Sequence, residues 1–401
     1  MQFSEIIGQA TVKKQLTGLV QHNRLSHALL FLGKEGSGSL PLAIAFAQFI
    51  VCEKVNRRNA AEPALFGAGE VETVPLADDA CGVCPACLKM EKLAHPDVHF
   101  SYPVVPRKSG DKAISTDYIS EWREFNNQAP YGNVFDWLQF IGAENKQGNI
   151  STFECADIMK KLSLKSFESG YKILVLWMAE YLGKEGNKLL KLIEEPPPDT
   201  LFILVAENET QILPTILSRC QLVKIPSLAT REIATALQQR AGVQAEKALQ
   251  VAGVAAGDYR EALQLLQHAE EDWLDLVREW LNAIMKSGPA AQVKWIDEMS
   301  KLGREKQKQF LRYFNHLLEQ GVRLSAFGQA STHAEQMPEK ERDFAARMNK
   351  MATIEQQQAI IEEIDRAAYY IERNAHGKML FHALTIKLYH IIADKSLLLI
   401  N

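Results

Sequence analysis

No run of about 18 or more apolar residues occurs anywhere in this sequence of 401 residues, so no membrane-spanning helix is expected. The amino-terminal stretch "MQFSEIIGQATVKKQL" lacks the charged-then-apolar layout of a secretory signal. Together these absences predict a cytoplasmic protein. A basic excess is missing too: 45 Lys and Arg against 49 Asp and Glu leave a net charge of −4. Global electrostatics therefore do not drive the chain onto nucleic acid, and any DNA contact would come from a local patch or from partner chains. Cysteine is sparse, with six in the chain: Cys52, Cys81, Cys84, Cys87, Cys155 and Cys220. In a cytoplasmic setting, a cluster of cysteines points to metal before disulfide. What is present is ordinary for a globular protein, with 47% hydrophobic and 23% charged residues and a length that suggests two or three domains.

Up to about residue 225, apolar runs alternate with helical patterns. "HALLFLG" (27–33), "YKILVLWMA" (171–179) and "TLFILVAE" (200–207) read as buried strands. Continuous rather than alternating apolar runs suit a parallel sheet covered on both faces. "ECADIMKKLSL" and "GNKLLKLIEEPPP" read as intervening helices, the second ended by its prolines. Beyond "KIPSLATREIATAL" no convincing strand appears. Residues 227–271 read as a small helical unit and 272–401 as longer helices, with a polar interruption over 325–344. Two stretches fit the alternating plan badly and read as insertions, 53–80 and 104–149.

The stretch "CGVCPAC" sets Cys81, Cys84 and Cys87 at adjacent C-x-x-C spacings, which lets three thiolates reach one tetrahedral ion; Gly82 helps the turn. Structural zinc needs a fourth ligand. Cys52, at the end of the helix that follows the glycine-rich loop, fits best, with His95 and His99 as alternatives; Cys155 reads as core.

"LLFLGKEGSGSLPLA" has the outline of a phosphate-binding loop between a strand and a helix. Gly33 and Gly38, with Gly36 between them, keep the spacing of G-x-x-x-x-G-K-[ST], whose amides cradle phosphate. The lysine position, however, holds Ser39 and the magnesium-ligand position holds Leu40; Lys34, at the start of the loop, is the only substitute cation. A hydrolytic site would end the next strand with an acidic pair, but Trp177 and Met178 stand there, and Glu180 lies two residues beyond. ATP and magnesium are therefore expected to bind weakly or not at all. Arg219, after the third strand in "ILPTILSRCQ", reads by itself as a plain surface charge. Lys184, Lys188 and Lys191 fall at i, i+4, i+7 and would share one face of an α-helix, the usual mark of a solvated stripe.

Taken together, "FSEIIGQATVKKQL", "RLSHALLFLGKEGSG", "CGVCPAC…HPD", "LLKLIEEPPPDTLFILVAENETQILPTILSRCQ" and "GDYREALQLL" resemble the bacterial DNA polymerase III clamp-loader family, of the AAA+ class. The resemblance covers roughly 1–52, 81–100 and 150–265. It implies an AAA+ α/β domain over 1–226 with an inserted zinc module at about 52–100, an all-α lid over 227–271, and an all-α oligomerisation collar over 272–401. The defective loop and lost acidic pair resemble the family's non-hydrolysing delta-prime branch. That branch would hold the ring together with delta and gamma/tau-like ATPase subunits and help load the sliding clamp onto primed DNA. Carried over by position, Arg219 of the "SRC" motif would be an arginine finger acting in trans. Arg260 would take the second sensor position, and Lys184, Lys188 and Lys191 would be candidates for DNA contact. Two other readings stay open: an active AAA+ motor subunit of the gamma/tau type, and a stand-alone zinc-containing nucleic-acid-binding protein.

Overall fold

A computed structural model describes residues 1–59, 77–108, 110–144, 146–267, 273–327, 339–372 and 375–394. Most of the insertion expected at 53–80, and the centre of the polar interruption at 325–344, lie outside the described residues. The chain divides into two compact units, Met1–Gln264 and Leu265–Asn401.

The first unit is built on a five-stranded sheet with the order β2-β3-β4-β1-β5. Its strands are β1 (Ala28–Gly33), β2 (Val98–Ser101), β3 (Lys172–Trp177), β4 (Thr200–Ala206) and β5 (Gln221–Ile225). All four pairings are parallel, with Leu30 opposite Leu204 and Leu222 on the two sides of β1. Parallel neighbours need crossover connections, and helices supply them. The strands alternate between two cores. Leu29, Phe31, Val175, Ile203 and Val205 belong to one, and Leu30, Leu174, Leu176, Phe202 and Leu204 to the other. Burial on both faces is why the three central strands are apolar without alternation. The parallel sheet with its helices is consistent with an AAA+ fold.

The expected strands hold as β1, β3 and β4; the edge strands β2 and β5 were not foreseen. Helix α1 (Ala10–Gln21) precedes β1, and α2 (Ser39–Val51) follows it with every residue buried. A helix apolar all round must sit inside a core. Next come α3 (Glu53–Asn59) and α4 (Pro85–Glu91).

The 104–149 stretch contains α5 (Ile119–Gln128) and α6 (Val134–Phe140), gathered around aromatic rings. Tyr102 and Trp122 stack at 3.9 Å between ring centres, while Trp137 meets Trp122 edge-on at 5.3 Å. Trp177, at the end of β3, closes the cluster 5.3 Å from Trp122. Trp122 is fully buried, and its indole N–H finds no acceptor among the described residues. Trp122→Ala should therefore cost about 3–5 kcal/mol, as large buried rings do. Trp122→Phe, which discards the unpaired donor, should cost much less. Denaturant unfolding of the two variants checks both.

Helices α7 (Thr152–Ser163), α8 (Leu190–Glu194) and α9 (Pro214–Leu217) complete the α/β part. α10 (Thr230–Ala241), α11 (Ala245–Val254) and the start of α12 (Tyr259–Gln267) belong to the same unit. The second unit is helical: α13 (Trp273–Asn282), α14 (Pro289–Lys301), α15 (Arg304–Phe327), α16 (Glu339–Met351), α17 (Ile354–Glu372) and α18 (Gly377–Ile392). Its core is centred on Trp280 and Trp295, stacked at 4.8 Å and 2°. Among the described residues no helix is long and apolar enough to cross a membrane.

Candidate functional site

The spacing C-x-x-C-x-x-C folds as a turn followed by a short helix. Gly82 has a φ of +71°, and Pro85 opens α4 immediately after Cys84, which caps it. The sulfurs of Cys52, Cys81, Cys84 and Cys87 all lie within 4.8 Å of one another. Cys52 comes from the C-terminal end of α2, so the best-buried helix of the unit anchors the cluster. Cys81 Sγ and Cys87 Sγ are 3.9 Å apart. Four thiolates at about 2.3 Å from one tetrahedral zinc would stand about 3.8 Å apart, so the sulfur set fits a metal ion. The Cys81 amide points at Cys52 Sγ and the Cys84 amide at Cys81 Sγ, both at 3.4 Å. Such N–H···S contacts favour the thiolate. Hydrogen bonding from Cys87, with that of the Cys81 amide, pulls Cys52 down to about 4, while its contact with Cys52 and its burial push Cys87 up.

Neither alternative histidine joins the cluster. His95 is buried, with Nε2 3.2 Å from Glu168 Oε1 and Nδ1 accepting the Asp97 amide. His99 sits on β2, where burial and then the neighbouring Lys161 push it down to about 4. Cys155 is buried at the start of α7, as the sequence suggested. The amino-terminal segment is fastened beside the cluster, because Asp79 accepts the amides of Phe3 and Ser4 at 2.8 and 2.9 Å.

The glycine-rich loop lies at the carboxyl end of the central strand β1. Gly36 and Gly38 have φ of +66° and +88°, a conformation that favours glycine. The surroundings fill the loop. A Cβ on Gly38 would come within 2.9 Å of the Tyr131 ring, and one on Gly36 within 1.8 Å of Asp258 Oδ1. Ser37 and Ser39 hydrogen-bond to each other through their hydroxyls at 2.9 Å. The cavity left in front of Gly33, Gly38 and Ser39, reaching Trp177 and Met178, is about 30 Å³. That is room for a water molecule or two, far below the several hundred Å³ of a typical ligand site. Lys34 is exposed. Glu180 is taken up structurally, with Oε1 accepting the amides of Glu207 and Asn208 at 2.5 and 2.7 Å.

Arg260 is 4% exposed and grips carboxylates. It forms a two-pronged pair with Asp136, one contact at 2.7 Å, and its NH1 lies 3.0 Å from Glu35 Oε1. Glu35 is a residue of the loop, and Asp136 comes from the 104–149 stretch; the sequence reading had singled out neither. The one local signal was the N-x-x-D pattern at Asn133 and Asp136, which forms the capping box of α6.

Arg219 follows α9 on the surface. It donates to Thr215 O at 2.7 Å and meets Glu194 of α8 at 2.5 Å. The lysine stripe needs correction. Lys184 and Lys188 lie on a 3-10 run, Ala179–Leu189, broken by Gly183 at φ 48° and ψ −137°, and only Lys191 lies on α8. The i, i+4, i+7 rule for one α-helical face does not apply there. Lys188 is also engaged with Glu185 at 2.8 Å and Thr152 at 2.6 Å.

The chain is similar to known proteins. Subunit delta' of DNA polymerase III from Bacillus subtilis is 26% identical over 226 residues, 56% of this chain and 50% of that protein. Subunit tau from the same organism is 24% identical over 326 residues, 80% of this chain and 46% of that protein. Subunit delta' from Escherichia coli is 24% identical over 307 residues, 76% of this chain and 72% of that protein. The chain thus spans about half the length of the two Bacillus relatives. A family model described as DNA polymerase III, delta subunit matches residues 8–229, more than half of the chain. The chain belongs to that DNA polymerase III delta subunit family.

Proposed function

We propose that the chain is a delta-prime-like, non-hydrolysing subunit of a DNA polymerase III clamp loader. It would stand in a hetero-oligomeric ring with delta and gamma/tau-like ATPase subunits and help load the sliding clamp onto primed DNA. In this reading 227–271 is a lid and 272–401 the collar through which subunits join. The four cysteines hold a structural zinc ion, and Lys184, Lys188 and Lys191 are candidates for DNA contact.

The observation that carries the proposal is the phosphate loop. Ser39 and Leu40 replace its lysine and its hydroxyl ligand, and the space before it is about 30 Å³. Phosphoryl transfer depends on positioning and on charge stabilisation at the phosphates. A loop with neither cation nor magnesium ligand supports an architectural role. Arg219 supports the regulatory half of the proposal: a surface arginine that has no working site in its own chain is available to a neighbour's ATP.

The similarity to tau over 326 residues favours a second reading, an active motor subunit. Phosphate release by the highly purified chain separates the two. We expect no turnover above background, with or without primed DNA. Turnover that survives purification and disappears in Lys34→Ala would establish the motor reading instead.

A further inference from the structure

The 104–149 stretch does more than add an aromatic core. We propose that it is a built-in occupant of the phosphate-loop site, latching the lid helix α12 shut without nucleotide. The inference takes from the functional reading the identities of the loop and of the lid and is independent of Arg219.

A nucleotide offers such a site a ring and anions, and here the chain supplies both. Tyr131 brings its ring against Gly38, and its hydroxyl accepts the Ile7 amide at 2.9 Å. The same ring meets Tyr259 of α12 edge-on at 5.0 Å. The anions are the carboxylates of Asp136 and Glu35, and Arg260 of α12 is held between them. A guanidinium suits paired carboxylate oxygens as it suits phosphate oxygens. Asn133 ties the parts together: its side chain accepts the Asp136 amide at 2.9 Å and donates to Glu35. α12 is further joined to the loop by the Tyr259 amide, 3.3 Å from Gly36 O. The insertion, the loop and the lid therefore share one partly buried ion network around the buried Arg260. The cation of the lid helix thus finds its anions within the fold.

Backbone hydrogen exchange of the full-length chain tests this, because exchange reads local opening segment by segment. Glu35→Gln removes one anion without touching the cap of α6, Asp136→Asn removes the other, and Arg260→Gln removes the cation. Each single variant should speed exchange of the α12 amides by tenfold or more and leave β1, β3 and β4 unchanged. Arg260→Gln combined with Asp136→Asn should exchange no faster than the worse single variant, since both break one latch. Millimolar Mg-ATP should leave wild-type exchange of α12 unaltered. Three results would overturn the proposal: α12 protection unchanged in all three single variants, additive effects in the double variant, or slowing of wild-type α12 exchange by ATP. The last would still be compatible with a chain that does not hydrolyse ATP, so this proposal can fail while the functional reading stands.

Discussion

Arg219→Ala in a reconstituted clamp loader should lower DNA-stimulated ATP hydrolysis and clamp loading, by less than a finger is worth at its own site, while leaving the assembly intact. An arginine finger is worth about 10³–10⁵ in rate in the nucleotide hydrolases where it has been measured, or roughly 4–7 kcal/mol. One finger among several sites in a ring yields less, because the other sites keep turning over. Charge builds on the γ-phosphoryl group in the transition state, and a planar, permanently charged guanidinium meets it with a fixed fork of donors. Arg219→Lys, with a point charge on a flexible stem, should rescue little. Assembly should survive because the side chain is about one-third exposed and its partners are the backbone oxygen of Thr215, the hydroxyl of Ser218 and the carboxylate of Glu194. An exposed pair of this kind contributes little to stability. Glu194→Gln serves as the control, since it releases Arg219 without removing it and should leave loading close to wild type. If Arg219→Ala and Arg219→Lys both load clamps at the wild-type rate in an intact complex, Arg219 is a surface charge and nothing more.

What the sequence disclosed follows from how local each feature is. β1, β3 and β4 were legible because both of their faces are buried, which leaves unbroken apolar runs. β5 was not, because at the sheet edge it exposes Leu222 and Lys224 in alternation, and β2 has only four residues behind Pro96. The cysteine cluster was legible because three of its four cysteines lie within seven residues, and the fourth could be inferred from the end of α2. The Arg260 network was hidden: its contacts join residues 124 and 225 positions apart, and periodicity carries no information at that range. The aromatic core of 104–149 was hidden for the same reason, since Trp122 packs against Tyr102, Trp137 and Trp177 on different elements. The lysine spacing assumed an α-helix, whereas Lys184 and Lys188 lie on a 3-10 run, with about three residues per turn, and only Lys191 lies on α8.

Metal analysis of the purified chain should find one zinc ion per molecule, and Cys52→Ser or Cys87→Ser should lose it. Cys52 and Cys87 are almost fully buried, and their sulfurs crowd those of Cys81 and Cys84. Close contact sets the two thiols apart, with Cys52 driven down by its hydrogen bond from Cys87 and Cys87 driven up by the same contact. A dication would stabilise all four thiolates together. Because the ligands must be deprotonated, zinc should be held at neutral pH and released as the pH falls. Structural zinc sites in small peptides contribute about 10–16 kcal/mol to folding. Here α2 is held independently by the sheet, so the loss should stay local. It should appear as faster exchange and proteolysis over 77–97, and also at Phe3 and Ser4, whose amides depend on Asp79 beside the cluster. β1, β3 and β4 should keep their protection. No zinc in the wild-type protein would remove the metal site, and full retention after Cys52→Ser would remove Cys52 from the ligand set. In that second case three cysteines would still need a fourth donor. His95 could supply it only by giving up Glu168 and the Asp97 amide, so a wild-type metal content in His95→Gln would exclude it as well.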